Sequence, residues 1–315
     1  MTRPRVAFVF AAGGSLGAVE VGMLKALVAA GVTADLVVGA SVGALNAAYF
    51  ASDPTPDAVG RLERIWRGIR RKDVFPVSIR AAIGGVLARR DYLVSSDALR
   101  SLIRTTLRFR QLEEARIPCH VMATDALDGS PVRFSSGPAL DALLASAAIP
   151  GVFPPVRLGS RLLVDGAVAG STPLAAAVEL GAQRVIALSP GLPCAANRTP
   201  HGPLGVSLNA LNLLMVNQLL TDLQRLRGAA EIILVPPLCP LAVSSFDFSH
   251  TGELIDRAAA STRAWLDAGG LDRRTVPEAL RPHTHPPAPW PRARRPRRTG
   301  RPLAADVPAR AVPWS

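Results

Sequence analysis

Asp35-Leu36-Val37-Val38-Gly39-Ala40-Ser41-Val42-Gly43-Ala44-Leu45-Asn46-Ala47-Ala48-Tyr49-Phe50 decides how this chain folds, because an apolar run passes through Gly-x-Ser-x-Gly into an alanine-rich run. Asp35 to Val38 reads as the end of a buried strand, and Ala44 to Phe50 continues as a helix. A sharp turn between the two lifts the Ser41 hydroxyl clear of the sheet and makes Ser41 a candidate nucleophile. Gly39 and Gly43 flank it for a steric reason, since side chains there would strike neighbouring backbone in so tight an elbow. Such five-residue patterns also arise by chance in alanine- and glycine-rich chains, so the surrounding sequence decides the meaning.

On the N-terminal side, Val6 to Phe10 reads as a first buried strand, followed by the loop Ala11 to Gly17 and a helix to about Ala30, stopped by Gly31. Strand, loop, helix, strand, turn, helix implies a parallel pair with a right-handed crossover. The C-terminal ends of those strands lie side by side, which brings Ala12-Gly13-Gly14-Ser15-Leu16-Gly17 to the sheet edge that carries Ser41. Backbone N–H groups in such a loop suit the oxyanion that forms when a serine attacks a carbonyl. The competing reading is a dinucleotide or phosphate loop. Against it, Ala12 occupies the first glycine position, no Gly-Lys-Ser/Thr follows, and Asp35 precedes the second strand rather than ending it.

Further along, Arg61 to Arg71 and Ala98 to Leu107 carry apolar residues at helical spacing. Pro118 to Thr124 and Pro131 to Phe134 read as strands joined around Asp128-Gly129. Ala139 to Ala148 predicts a helix, Arg161 to Val164 and Arg184 to Ser189 two strands, and Pro173 to Leu180 a helix begun by proline. Ser207 to Arg227 predicts a long helix whose Leu208, Leu211, Leu214, Met215, Leu219 and Leu223 are expected to pack as core or line an acyl channel, with core the preferred reading. Glu231 to Val235 predicts a late strand and Gly252 to Ala268 a closing helix.

The 315-residue chain has a net charge of +12, unevenly placed. Arg281 to Ser315 holds eight arginines against Asp306, and Arg61 to Arg116 holds fourteen basic residues against six acids. The first stretch is rich in Pro, Arg and Ala and predicts a disordered tail. The second is either a solvated helical face or a contact for an anionic bilayer. The tail has few aromatics and the chain no recognised nucleic-acid fold, so no nucleic-acid partner is expected. Cys119, Cys194 and Cys239 fall at wide, unrelated spacings, with neither a metal-ligand pattern nor a disulfide framework, and no metal or cofactor is expected. The five-residue apolar run at Val6 is too short for a signal peptide or a membrane span, and Asn209, Asn212, Asn217 and Gln218 interrupt the longest later stretch. The expected setting is therefore cytoplasmic, peripheral to a membrane if the basic face engages one. Nothing in the sequence speaks to oligomeric state.

A serine nucleophile needs a base. His283 and His285 lie in the tail, His201 in a Pro/Gly loop and His120 inside a strand, which leaves His250 as the late histidine of a Ser, Asp, His order. Asp165 is the better candidate, because it ends the apolar run Leu162-Leu163-Val164 before the turn glycine Gly166, and loops at strand ends carry chemistry in open α/β sheets. An ordinary turn aspartate has the same local sequence.

Gly13-Gly14-Ser15-Leu16-Gly17, Val21-Gly22-Met23-Leu24, Gly39-Ala40-Ser41-Val42-Gly43 with Asn46, Ala123-Thr124-Asp125, Ala145 to Pro155 and Asp165-Gly166-Ala167 together resemble the patatin-like phospholipases in order and spacing. The likeness runs from about Arg5 to Ala268. It implies a three-layer α/β/α fold with a mainly parallel sheet, and a hydrolase of lipid acyl esters using a serine–aspartate dyad without histidine. Carried over by position, Ser41 is the nucleophile, Asp165 its base, Gly13 and Gly14 the oxyanion donors, and Gly39 and Gly43 the elbow glycines. The implied domain spans residues 1–275, with the tail from 276 to 315. The chain departs from the family pattern at Ala12, at Leu16 where a cation is usual, and at Gly170-Ser171 where an asparagine-rich stretch is usual. A missing cation leaves nucleophile and base in place and bears on loop rigidity or headgroup attraction, so no specific preference for a phosphate-bearing headgroup is expected. A non-catalytic binder of anionic surfaces is the rival from another class, and acyl transfer to an alcohol is a second enzymatic reading.

Overall fold

The computed structural model describes residues 3, 5–76, 91–169, 172–191, 194, 202–281 and 283. Its centre is an eight-stranded sheet between two helical layers. The first two strands, β1 (Val6–Phe10) and β2 (Leu36–Ala40), are buried along their whole length. Strands covered on both faces read as unbroken apolar runs. They pair in parallel, Ala7 opposite Leu36 and Phe10 opposite Gly39, so both C-terminal ends reach the same edge. Helix α1 (Gly17–Ala29) makes the crossover between them, and α2 (Val42–Ser52) leaves β2 directly after Ser41.

The remaining strands are β3 (Cys119–Asp125), β4 (Pro131–Phe134), β5 (Val156–Leu158), β6 (Arg161–Asp165), β7 (Arg184–Leu188) and β8 (Glu231–Val235). The order is β5-β6-β3-β2-β1-β7-β8, with β4 also on β3. From β3 through β8 the contacts are parallel; the three antiparallel ones gather at the β3, β4, β5 and β6 end. Reversing β6 against β3 sets Asp165 opposite Ala123, next to the end of β2.

Among the described residues, the other helices are α3 (Pro56–Gly68), α4 (Arg71–Val74), α5 (Asp97–Thr106), α6 (Ala139–Ser146), α7 (Pro173–Glu179), α8 (Gly202–Arg225) and α9 (Thr251–Asp267). The period-two alternation of a strand divides them between layers. Phe8 and Phe10 pack with Leu24 of α1, Phe50 of α2, Trp66 of α3 and Ile255 of α9. Ala7 and Val9 face the opposite layer, with Leu174 of α7 and Leu219 of α8.

Among the differences from expectation, three bear on the architecture. Helix α3 begins at Pro56 rather than Arg61, because the Thr55 hydroxyl accepts from the Ala58 N–H and proline suits the first helical turn. Strand β5 is absent from the sequence reading; its three residues follow Pro154-Pro155 and turn into β6 through Gly159 at φ 60°. The expected boundary at residue 275 is passed, since Leu280 is buried against the α7 and α8 layer. Residues 284–315, most of the expected tail, lie outside the described residues.

Three arginines of the basic stretch are paired with acids. Arg61 and Arg116 both meet Asp53, and Arg67 meets Glu63 and Asp256. Those guanidinium groups are less available to an anionic surface than their number in the sequence implied.

Candidate active site

Ser41 sits at φ 56°, the one non-glycine residue with positive φ among the described residues. This costs of order 1–3 kcal/mol for an L-residue and persists only where the surroundings enforce it. Here they do. A Cβ on Gly39 would fall 2.5 Å from the Gly43 carbonyl oxygen, and one on Gly43 2.4 Å from the Ala11 carbonyl oxygen. The Ser41 N–H donates to the Ser146 hydroxyl at 2.9 Å, and that hydroxyl donates to the Met122 carbonyl at 2.6 Å. The end of α6 and the middle of β3 thus hold the turn from outside its own segment. Ser41 is buried, at 6 % exposure, and the positive end of the α2 dipole begins at the next residue.

The Ser41 hydroxyl donates to Asp165 Oδ2 at 2.6 Å. Asp165 is 1 % exposed. Its second oxygen, Oδ1, accepts from the Ala167 N–H at 2.8 Å, and its backbone carbonyl accepts from the Thr124 hydroxyl at 2.8 Å. Gly166 fits because a Cβ there would lie 2.2 Å from the Met122 carbonyl oxygen. Burial raises the Asp165 pKa from 3.8 to about 6, against the opposing pull of its bonds from Ser41 and Ala167. The carboxylate is thereby more basic than an ordinary aspartate yet ionised at neutral pH.

The glycine loop lies over the same edge. Ser15 N–H donates to the Ser245 carbonyl at 2.8 Å, the Ser15 hydroxyl to the Ser244 carbonyl at 3.0 Å, and Leu16 N–H to the Gly13 carbonyl at 3.1 Å. Among the described residues, the Gly13 and Gly14 N–H groups have no protein acceptor. Gly14 adopts φ 58°, and a Cβ there would lie 2.4 Å from the Ser245 carbonyl oxygen. Leu16, at the position where the resemblance led one to look for a cation, is buried in the core.

A cavity beside the elbow is walled by Gly13, Ala40, Gly166, Leu174, Met215 and Leu219. Helix α8 therefore does not pack simply as core. Met215 and Leu219 face this cavity, whereas Leu213 and Leu214 are 49 % and 64 % exposed. Below the elbow, buried Glu20 accepts from Asn46 Nδ2 at 2.8 Å, and Asn46 Oδ1 accepts from the Trp66 indole at 2.9 Å. Burial holds the Glu20 carboxyl well above the usual carboxylate range.

His250 lies at the start of α9, with Nδ1 3.3 Å from Glu253 Oε2, while the Ser41 hydroxyl is bonded to Asp165. His120 bonds the Ser135 hydroxyl at 2.8 Å from within β3. Asp35 takes no ligand-facing position: it accepts from the Val6 N–H and pairs with Arg3, fastening the start of β1. Gly170-Ser171 lie outside the described residues. Ser146 was present in the sequence motif without a role; its bond to the Ser41 N–H gives it one.

A mixed sheet between two helical layers, turning through Gly-x-Ser-x-Gly from strand to helix with a buried aspartate on the serine, defines an α/β protein built around a serine elbow. Residues 8–178 match the patatin-like phospholipase model, and the chain belongs to that family. An uncharacterised NTE family protein of Mycobacterium tuberculosis is 32% identical over 192 residues, covering 59% of this chain and 49% of the relative. The patatin-like phospholipase domain-containing protein 7 of Rattus norvegicus is 26% identical over 193 residues, 61% of this chain and 14% of that protein. This chain thus spans about half the length of the mycobacterial relative and a small part of the rat one. Among solved structures, human GIVD cytosolic phospholipase A2 aligns with TM-score 0.42 and 12% identity, over 89% of this chain and 61% of that one. VipD from Legionella pneumophila aligns with TM-score 0.41 and 11% identity, over 85% and 67% respectively. Among the described residues, no helix is long and apolar enough to cross a membrane.

Proposed function

We propose that this protein is a serine hydrolase of lipid acyl esters, with Ser41 as nucleophile, Asp165 as general base, and Gly13 and Gly14 as oxyanion donors. The observation that carries this reading is the 2.6 Å bond from the Ser41 hydroxyl to a buried carboxylate. Membership of the patatin-like phospholipases and the apolar cavity beside the elbow support the choice of lipid. In the first half-reaction Ser41 Oγ attacks the ester carbonyl carbon and its proton passes to Asp165 Oδ2. The carbonyl oxygen becomes an oxyanion facing the glycine N–H groups, in a water-poor site where such bonds are strongest. Collapse breaks the ester C–O bond, and the departing alcohol takes the proton from Asp165. The acyl group remains on Ser41. In the second half-reaction Asp165 removes a proton from water, the hydroxide attacks the acyl carbon, and the fatty acid leaves as Ser41 regains its proton.

An aspartate replaces the usual histidine because burial raises its basicity while the oxyanion donors lower the demand on it. With a buried Leu16 in place of a cation, this position offers no charge to select a phosphate-bearing headgroup. The folded domain extends through the turn Glu278–Leu280, which completes its second layer, and the basic residues beyond it act through long-range charge. The test is ester turnover and labelling with a fluorophosphonate. Wild type hydrolyses a soluble chromogenic ester and is labelled at Ser41, and Ser41→Ala does neither while keeping its circular dichroism. Unchanged turnover in Ser41→Ala overturns the assignment.

A further inference from the structure

Cys194, Cys239 and His283 are 45 and 44 positions apart in the chain, a spacing that predicts no ligand set. The fold gathers them. Cys194 follows β7, Cys239 follows β8, and His283 follows the turn Glu278–Leu280. Cys194 Sγ stands 3.9 Å from Cys239 Sγ, and Cys239 Sγ stands 3.3 Å from His283 Nε2. All three ligand atoms lie within 4.8 Å of one another.

The geometry points to a binding site for a thiophilic divalent cation of the zinc class, held by Cys194 Sγ, Cys239 Sγ and His283 Nε2. Ligands of a tetrahedral zinc ion, at about 2.3 Å for sulfur and about 2.0 Å for nitrogen, stand about 3.8 Å apart for two sulfurs and about 3.5 Å for sulfur and nitrogen. The separations found are close to both. The histidine is also oriented as a ligand. Its Nδ1 lies 2.7 Å from the Arg281 carbonyl oxygen, which can only accept, so the ring proton belongs on Nδ1 and the Nε2 lone pair faces the sulfurs. A backbone carbonyl on the far nitrogen is the usual outer support of a metal-bound imidazole. Two thiolates and a neutral imidazole balance the charge of one divalent ion, and soft sulfur selects zinc over magnesium or calcium. Loading such a site releases two thiol protons to solvent.

Three protein ligands leave the fourth position of the ion to water. The site is a clamp on the active-site edge. A Cβ on Gly13 would lie 2.7 Å from Pro190, and one on Gly191 2.7 Å from Pro237, so Pro190-Gly191 is wedged between the glycine loop and Pro237. An ion joining the cysteines holds those segments together and fastens the chain after Leu280 to them. The assignment stands whether or not Ser41 is the nucleophile.

The experiment is a Co2+ titration of the full chain, reduced with a phosphine, followed by absorbance and then by displacement with Zn2+. One Co2+ per chain is expected, with thiolate-to-cobalt charge-transfer absorbance and the visible bands of a tetrahedral ion, both lost on adding Zn2+. Cys194→Ser, Cys239→Ser and His283→Ala should each weaken Co2+ binding on the order of 100-fold or more, since even outer-shell changes cost about 10–100-fold. Cys119→Ser, in the buried strand β3, should bind as wild type. If Cys239→Ser folds poorly, His283→Ala decides alone, because His283 follows the last packed turn. Absence of the charge-transfer band in reduced wild type, or its survival at full affinity in His283→Ala, overturns the proposal. So does a Cys194–Cys239 disulfide in protein purified without oxidant that takes up no Co2+ after reduction.

Discussion

Replacing Asp165 with asparagine should destroy activity and, at neutral pH, stabilise the fold. The carboxyl titrates at about 6 in the folded protein against 3.8 when freely solvated. Between those values the folded state binds the proton that the unfolded state has released, so stability falls as pH rises through this window. Two pKa units correspond to about 3 kcal/mol, all of it lost by the time pH is well above 6. Asparagine has the same shape and its oxygen can still accept from the Ala167 N–H, but it never ionises. Relative to wild type, Asp165→Asn should therefore gain about 2 kcal/mol between about pH 4.5 and about pH 7.5. The assay is urea unfolding of both proteins at the two pH values, with ester turnover measured on the same preparations. Turnover should fall on the order of 10²–10⁴-fold with the base gone. A stability difference that does not change with pH refutes the raised carboxyl; full turnover in the variant refutes its role as base.

The same titration predicts that kcat/KM on a soluble, non-ionising ester climbs with pH and levels off above about 6, since only the carboxylate can take the serine proton. A profile that peaks well below that value contradicts it. Ser146→Ala removes the acceptor of the Ser41 N–H and the donor to the Met122 carbonyl, and should cost about 1–3 kcal/mol in chemical denaturation with a loss in kcat larger than any change in KM. Wild-type values for both would show that the elbow holds its φ without that hydroxyl. His250→Ala should keep activity within about threefold, because its partner is Glu253 at the surface; collapse of turnover would restore a histidine to the mechanism.

What the sequence by itself determined is local. Gly39, Ser41 and Gly43 mark a strand-to-helix elbow, and the clash of a Cβ at Gly39 with the Gly43 backbone lies within that segment, whereas the clash at Gly43 is with Ala11 at the end of the neighbouring strand. The apolar runs at Val6 and Leu36 specify buried parallel strands, and with them the meeting of the glycine loop and the elbow at one edge. The residues alone left the base between His250 and Asp165, with the strand-end position preferring the aspartate, and the resemblance pointed the same way. Tertiary structure decided that contact, 124 positions apart, by reversing β6 against β3. It also supplied what no local pattern encodes: Ser146 on the Ser41 N–H, the division of the α8 leucines between cavity and surface, and the convergence of Cys194, Cys239 and His283. The reason is that turn and strand propensities act over a few residues, whereas burial and long-range hydrogen bonds exist only once the sheet has closed. Desolvation in particular has no counterpart in an extended chain, which is why an aspartate with an ordinary turn sequence acquires a carboxyl of raised pKa.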